Sequence, residues 1–236
     1  MQKYGTTRKK QSFEIFNQIA STYDVLNHTL SAGIDKGWRK KLIKELPKTK
    51  NLEILDLATG TADTAILLAK LQSVKKVIGI DLSQGMIDVG ITKVKKEKLE
   101  SKLTLQIGDG VKIDFEDNSF DCVTITFGIR NFYNPQESLK EIYRVLKPGG
   151  KLLIIEFGQP ENLLVNKVYN LYFEKILPAI GNIVSGHSDA YTYLNKTVND
   201  FPFGTKFQDL MNSASFQSTK FQKLTFGIAY LYSGTK

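Results

Sequence analysis

Glu53-Ile-Leu-Asp-Leu-Ala-Thr-Gly-Thr-Ala-Asp63 is the stretch that decides the fold. An apolar run of strand length passes without a spacer into small residues, and the pattern that follows to about residue 71 is helical. Parallel strands need such crossover helices, so a strand running into a helix points to a parallel sheet. Small residues at the junction let a ligand approach the backbone, and a helix start offers free N–H groups to a carboxylate or phosphate.

The same rhythm continues outward. Strands are expected at Glu53–Leu57, Lys76–Ile80, Leu103–Ile107, Asp121–Thr126 and Lys151–Glu156, with helices at about 62–71, 84–97 and 136–146. Lys147-Pro-Gly-Gly150 should end the last of these, because proline cannot continue a helix. Residues 216–222 and 224–232 read as two final strands joined by a short turn, hence an antiparallel pair near one edge, preceded by a helix over 207–214. The prediction is a single α/β domain with a doubly wound, mostly parallel sheet.

Around it lie three less regular segments. Residues 1–12 read as a mobile basic tail. Phe13, Phe16, Ile19, Ala20 and Tyr23 recur at helical spacing, and a second helix runs from about Lys36 to Pro47, so a helical cap over 13–47 is expected. From about 157 to 207 the rhythm is lost. Leu164, Val168, Leu171, Tyr172 and Ile176 mark an apolar helix in what reads as a lid insertion.

Composition narrows the class. A chain of 236 residues, 42% hydrophobic, suits one core. The single cysteine, Cys122, excludes an internal disulfide and a cysteine-rich metal site, and no metal is expected. No stretch reaches the roughly 18 to 20 apolar residues of a membrane span, and no signal peptide opens the chain, so a cytoplasmic protein is expected. The net charge of +8 suits nucleic acid, anionic lipid, a phosphorylated ligand or a plain lysine-rich surface, and composition does not choose among them. His28 and His187 are isolated and carry no chemistry in this reading.

The chemistry gathers at the strand ends. The second strand ends at Asp81, where an acid can accept hydrogen bonds from a ribose diol. The third ends at Gly108-Asp109-Gly110, and the fourth leads to Thr126-Phe-Gly-Ile-Arg-Asn131. Together these describe an adenosine-containing ligand at the carboxyl ends of the strands. Each taken alone has an ordinary reading as tight packing, a helix cap or a β-turn. A dinucleotide oxidoreductase competes, but Ala58, Gly60 and Ala62 do not make the G-x-G-x-x-G spacing that binds pyrophosphate.

Several longer stretches resemble the UbiE/MenG family of ubiquinone and menaquinone biosynthesis C-methyltransferases, from about Phe13 to Lys236. They are Phe16-Asn-Gln-Ile-Ala-Ser-Thr-Tyr-Asp24, Asp56-Leu-Ala-Thr-Gly-Thr61 with Asp63, Phe120 through Asn131, Arg144-Val-Leu-Lys-Pro-Gly-Gly150 and Tyr191-Thr-Tyr-Leu194. The resemblance implies a Rossmann-like class I methyltransferase fold with strand order 3-2-1-4-5-7-6 and an antiparallel last strand. It implies S-adenosylmethionine as cofactor, held by Thr61, Asp81, Asp109 and Gly110, with Asp56, Gly60 and Thr126 completing the set. Two departures stand out: Ala62 where the family usually has Gly, so that its methyl is expected to narrow the cofactor loop, and Asp109-Gly110 where Asn-Ala is common.

The implied reaction is methylation of a ring carbon on a polyprenylated demethylquinol, giving menaquinol or ubiquinol precursors. Such chemistry needs a base or a held water, a cation for the phenolate, and exclusion of water. Asp63 is the candidate for the base or water, Arg130 for the oxyanion, and Asn131 and Tyr23 for the substrate. An Arg130–Asp63 salt bridge is the structural alternative. A lipophilic quinol is the expected partner and nucleic acid is not. Peripheral contact with the inner face of a membrane and homo-oligomerisation are left open. The rivals are a methyltransferase for another small molecule or RNA, and a non-catalytic binding protein.

Overall fold

The computed structural model describes residues 15–17, 19–20, 33–171, 193 and 196–236. The basic tail, Tyr23, His28, Tyr172, Ile176, His187, Tyr191 and Leu194 lie outside the described residues.

Alternation of side chains builds the sheet. In β1 (Leu52–Leu57), Ile54 enters one hydrophobic core while Leu55 and Leu57 enter another. β4 (Phe120–Thr126) divides Cys122 from Val123 and Ile125 in the same way. In β5 (Leu146–Phe157), Leu153 and Ile155 face the first core and Leu152 and Ile154 the second. Strands buried on both faces read as near-continuous apolar runs, which is why these were legible. Two outer strands, β2 (Val74–Asp81) and β3 (Leu103–Ile107), are more exposed.

Helices cover both faces. α1 (Ile34–Lys44), α2 (Asp63–Ala69) and α3 (Gln84–Lys96) contribute Trp38, Leu42, Ala65, Leu68 and Val94 to the first core. α4 (Pro135–Val145), followed after β5 by α5 (Leu163–Leu171) and α6 (Thr205–Ser213), supplies Leu139, Ile142 and Val145 to the second, with Phe207 and Met211 from α6. Caps fix where they begin: Ser83 accepts from Met86 N at 3.2 Å, and Asn134 accepts from Glu137 N at 3.3 Å ahead of Pro135. β6 (Gln217–Leu224) and β7 (Ala229–Thr235) complete the sheet.

The strand order is β3-β2-β1-β4-β5-β7-β6 with β7 antiparallel to both neighbours, as the resemblance implied. Most element ends shift by one or two residues, and two boundaries differ in kind from the expectation. Lys147-Pro-Gly-Gly150 lies within β5: Phe120 pairs with Leu146 and Cys122 with Lys151, so the turn bulges out of a strand already begun. The last strand starts at Ala229, because Thr225–Gly227 form a 3-10 turn. Order reverses between β1 and β4, which opens a crevice at their carboxyl ends.

Candidate active site

The crevice holds a cavity of about 650 Å³, part of it open to solvent. Its described lining comes from the carboxyl-end loops of four strands: Ala58 and Gly60 after β1, Asp81 to Ser83 after β2, Gly108 and Gly110 after β3, and Thr126 to Gly128 with Asn131 and Phe132 after β4. Phe16 and Met86 close it from the helices.

The loop after β1 turns sharply because Ala58, Gly60 and Ala62 all take positive φ, at 51°, 56° and 69°. A Cβ at Gly60 would meet no protein atom within 4 Å, so its backbone faces open space. Gly128 serves the opposite need: a Cβ there would lie 2.5 Å from Ala58 Cβ, so glycine lets the β4 loop press on the β1 loop. The Ala62 methyl is fully buried in the first core. It therefore does not narrow the cofactor loop, contrary to expectation.

Asp81 ties the two halves of the site together. Its carboxylate accepts from Gly60 N and from Ser83 N, each at 2.9 Å. Burial pushes its pKa up, opposed by those backbone hydrogen bonds. Ser83 in turn donates to Asn17 Oδ1 at 2.7 Å, which also accepts from Gly85 N, so the N-terminal segment that carries Phe16 is fastened to the start of α3.

The other expected residues divide. Gly60, Asp81, Gly110, Thr126 and Asn131 line the cavity. Asp56 does not: it is buried beneath the loop, accepting from Thr59 at 2.7 Å and from Thr124. Burial pushes its carboxyl up to about 6, although both hydroxyls favour the charged form. Asp109 accepts from Val111 N at 3.1 Å and shapes its own turn. Thr61 is buried and accepts from Lys93 Nζ at 3.3 Å.

Asp63 and Arg130 do not pair with each other. Asp63 binds Lys93 and lies 3.9 Å from Arg39, which donates to the Thr64 hydroxyl at 3.1 Å. Thr64 then donates to Thr126 at 3.1 Å. Arg130 is buried, its Nη1 2.7 Å from Glu156 Oε1 and donating also to Phe127 O. Glu156 further accepts from Arg130 N at 3.2 Å and Phe157 N at 2.8 Å. The guanidinium is thus turned into the protein by a buried carboxylate, and neither Asp63 nor Arg130 is among the described lining residues. Glu156 was missed, although an acid inside Leu152-Leu-Ile-Ile-Glu-Phe157 signals a buried counter-cation.

What the Arg130 lock positions is the wall of the cavity. Phe127, at φ 60°, stacks on Phe157 with centroids 4.4 Å apart and meets Trp38 at 5.9 Å. Asn131 accepts from the Tyr193 hydroxyl at 3.2 Å. Tyr193, 62 residues further along the chain, therefore meets the Arg-Asn loop at the cavity-lining Asn131.

The ubiE/COQ5 methyltransferase family matches residues 3–236. The chain belongs to that family. A demethylmenaquinone methyltransferase of Bacteroides fragilis is 41% identical, covering 97% of this chain and 94% of its own. A ubiquinone/menaquinone biosynthesis C-methyltransferase UbiE of Geotalea daltonii is 41% identical over 98% of both chains. Among solved structures, a Thermotoga maritima S-adenosylmethionine-dependent methyltransferase, described as a possible histamine N-methyltransferase, superposes with a TM-score of 0.66 at 20% identity, covering 95% and 99%. This family member is an S-adenosylmethionine-dependent methyltransferase with a Rossmann-like fold. The residues present fit that cofactor: the Gly60 backbone faces open space, and the Asp81 carboxylate that it is bonded to lines the same cavity.

Proposed function

We propose that the chain methylates a ring carbon of a polyprenylated demethylquinol, of the demethylmenaquinol or ubiquinol-precursor type. The observation that carries this is the meeting of Asn131 with Tyr193 at a cavity walled by Phe16, Phe127 and Phe132. Aromatic walls suit a flat apolar ring, and the hydroxyl and amide suit its oxygens.

S-adenosylmethionine supplies an electrophilic methyl group to the nucleophilic quinol carbon. On the protein side, Asp81 would hold the ribose diol and Gly60 would let the cofactor approach the backbone, while Gly110 makes room for the Phe132 ring, 2.5 Å from where a Cβ would stand. Thr126, fixed by Thr64, stands between the cofactor loop and the substrate wall. Asn131 hydrogen-bonds a quinol oxygen and Tyr193 orients its amide. The phenylalanines exclude water. Arg130 and Asp63 act as positioning residues through Glu156 and Lys93. Thr61, Asp56 and Asp109 shape the loops beneath. The lipophilic substrate brings the protein to the membrane surface as a peripheral partner.

The test is methyl transfer from labelled S-adenosylmethionine to a short-tail demethylmenaquinol, a short-tail benzoquinol precursor and RNA. Labelled quinol product with RNA unlabelled is expected. Label in RNA, with both quinols inert, would refute the reading.

A further inference from the structure

The large hydrophobic side chains exposed among the described residues are not scattered. Ile107 ends β3, and Tyr133 follows the turn after β4. Leu163 and Leu164 follow β5 and are 82% and 74% exposed, with Leu171 at the far end of α5. Phe226 follows β6 and is 77% exposed. Ile34 stands one helical turn from Trp38, whose indole donates to Thr225 at 2.9 Å, beside Phe226. These residues cluster around the carboxyl edge of the sheet, which holds the cavity. The amino edge is charged instead, with Lys75–Glu53 at 2.9 Å, Lys147–Asp121 at 3.0 Å and Lys220–Glu45 at 3.0 Å.

Phe226 is held outward at a conformational cost. It sits at φ 58°, ψ 20°, a left-handed conformation that bulky residues rarely adopt. The adjoining Gly227 lies against Gln159 and Pro160, and Lys223 bridges to Glu161 at 2.7 Å, so the Phe226 turn and the segment leading to Leu163 are neighbours.

We infer that this edge is a membrane-docking face, on which Phe226, Leu163 and Leu164 enter the interfacial layer of an anionic bilayer. The inference rests on the lipophilic-quinol reading, and it names the surface through which that substrate is collected. Charge selects the occupant. Lys36 and Lys167 are exposed on the helices that carry Ile34 and Leu163, Leu164 and Leu171, while the charge of nearby Lys223 is matched by Glu161. Cations beside inserted apolar side chains attract anionic headgroups. A second copy seated symmetrically on the same face would set lysine against lysine.

The test is flotation of the full chain with phosphatidylcholine vesicles, with and without phosphatidylglycerol, alongside the triple variant Leu163→Gln, Leu164→Gln, Phe226→Asn. Gln preserves helix propensity, and Asn accepts the left-handed conformation. The parent should float with phosphatidylglycerol vesicles and be released by salt. The variant should partition about tenfold less or worse, yet methylate a soluble short-tail quinol within about twofold of the parent. Docking is overturned if the parent ignores anionic vesicles, if the variant binds them equally, or if sedimentation shows the face buried in a dimer that the variant dissolves. Methylation of the soluble quinol without vesicle binding removes docking and leaves the substrate reading. Vesicle binding through these three side chains without methylation of any quinol does the reverse.

Discussion

Replacing Glu156 by Gln tests whether Arg130 is a lock or a reagent. The Arg130 side chain is 5% exposed and that of Glu156 0%, so the pair has almost no water to fall back on. Glu156 accepts from Arg130 Nη1, Arg130 N and Phe157 N. An amide keeps one oxygen but turns an N–H toward a donor, and it leaves a buried cation without its counter-charge. Breaking one member of such a pair costs about 3 to 5 kcal/mol. Urea denaturation should register that loss for Glu156→Gln, and single-turnover methylation should fall as the wall bearing Phe127 and Asn131 shifts. The double variant Arg130→Met, Glu156→Leu removes both charges and should recover most of the stability, because apolar replacement of a buried pair is often neutral or better. With the wall restored, turnover should recover in part. A double variant as stable as the parent but without turnover would mean that Arg130 acts on the reacting groups, and the positioning argument would be wrong. Glu156→Gln melting within about 1 kcal/mol of the parent would equally undo it.

Three further outcomes follow from the site. Asp81→Ala should weaken S-adenosylmethionine binding about tenfold or more by calorimetry, since charge-assisted hydrogen bonds contribute about 1.5 to 3 kcal/mol, and unchanged affinity in a folded variant would exclude Asp81. Asp56 is raised from its ordinary 3.8 to about 6, so the folded state binds its proton more tightly than the unfolded chain. Its contribution is present below about pH 4 and is lost as pH rises through about 6, by about 3 kcal/mol in all. Asp56→Asn should therefore gain on the parent by about that amount between those limits, and urea midpoints differing by a constant across the range would contradict the burial argument. Ala62→Gly relieves a left-handed alanine by about 1 kcal/mol and removes a buried methyl worth about 0.8 kcal/mol. Thermal melts and cofactor affinity should both stay near the parent's, and a marked change in affinity would put the methyl back in the cavity.

The strands were legible where burial on both faces makes apolar runs, as in Ile54 to Leu57 or Leu152 to Ile155. Ends were less so. Val74 pairs with Leu52, yet exposed Lys75 and Lys76 mask the start of β2. Thr225 to Ile228 has strand composition, but the chain turns there to reverse direction for β7. At the site, residues whose backbone lies at a strand end, such as Asp81 and Gly60, line the cavity as expected because position along the strand suffices. Arg130, Asp63 and Asp56 reached elsewhere because their partners are set by packing. Glu156 is on another strand, Lys93 on another helix and Thr124 on the adjacent strand. A long charged side chain can be placed by sequence to within its own reach, and no closer.

The contact between Trp38 and Phe127 has a practical consequence. Trp38 is the chain's only tryptophan, it is 5% exposed, and it lies one aromatic ring away from the cavity. Its indole emission therefore comes from a single environment that a bound molecule pressing on Phe127 would disturb. The protein carries its own optical reporter, so occupancy can be titrated without attaching a dye.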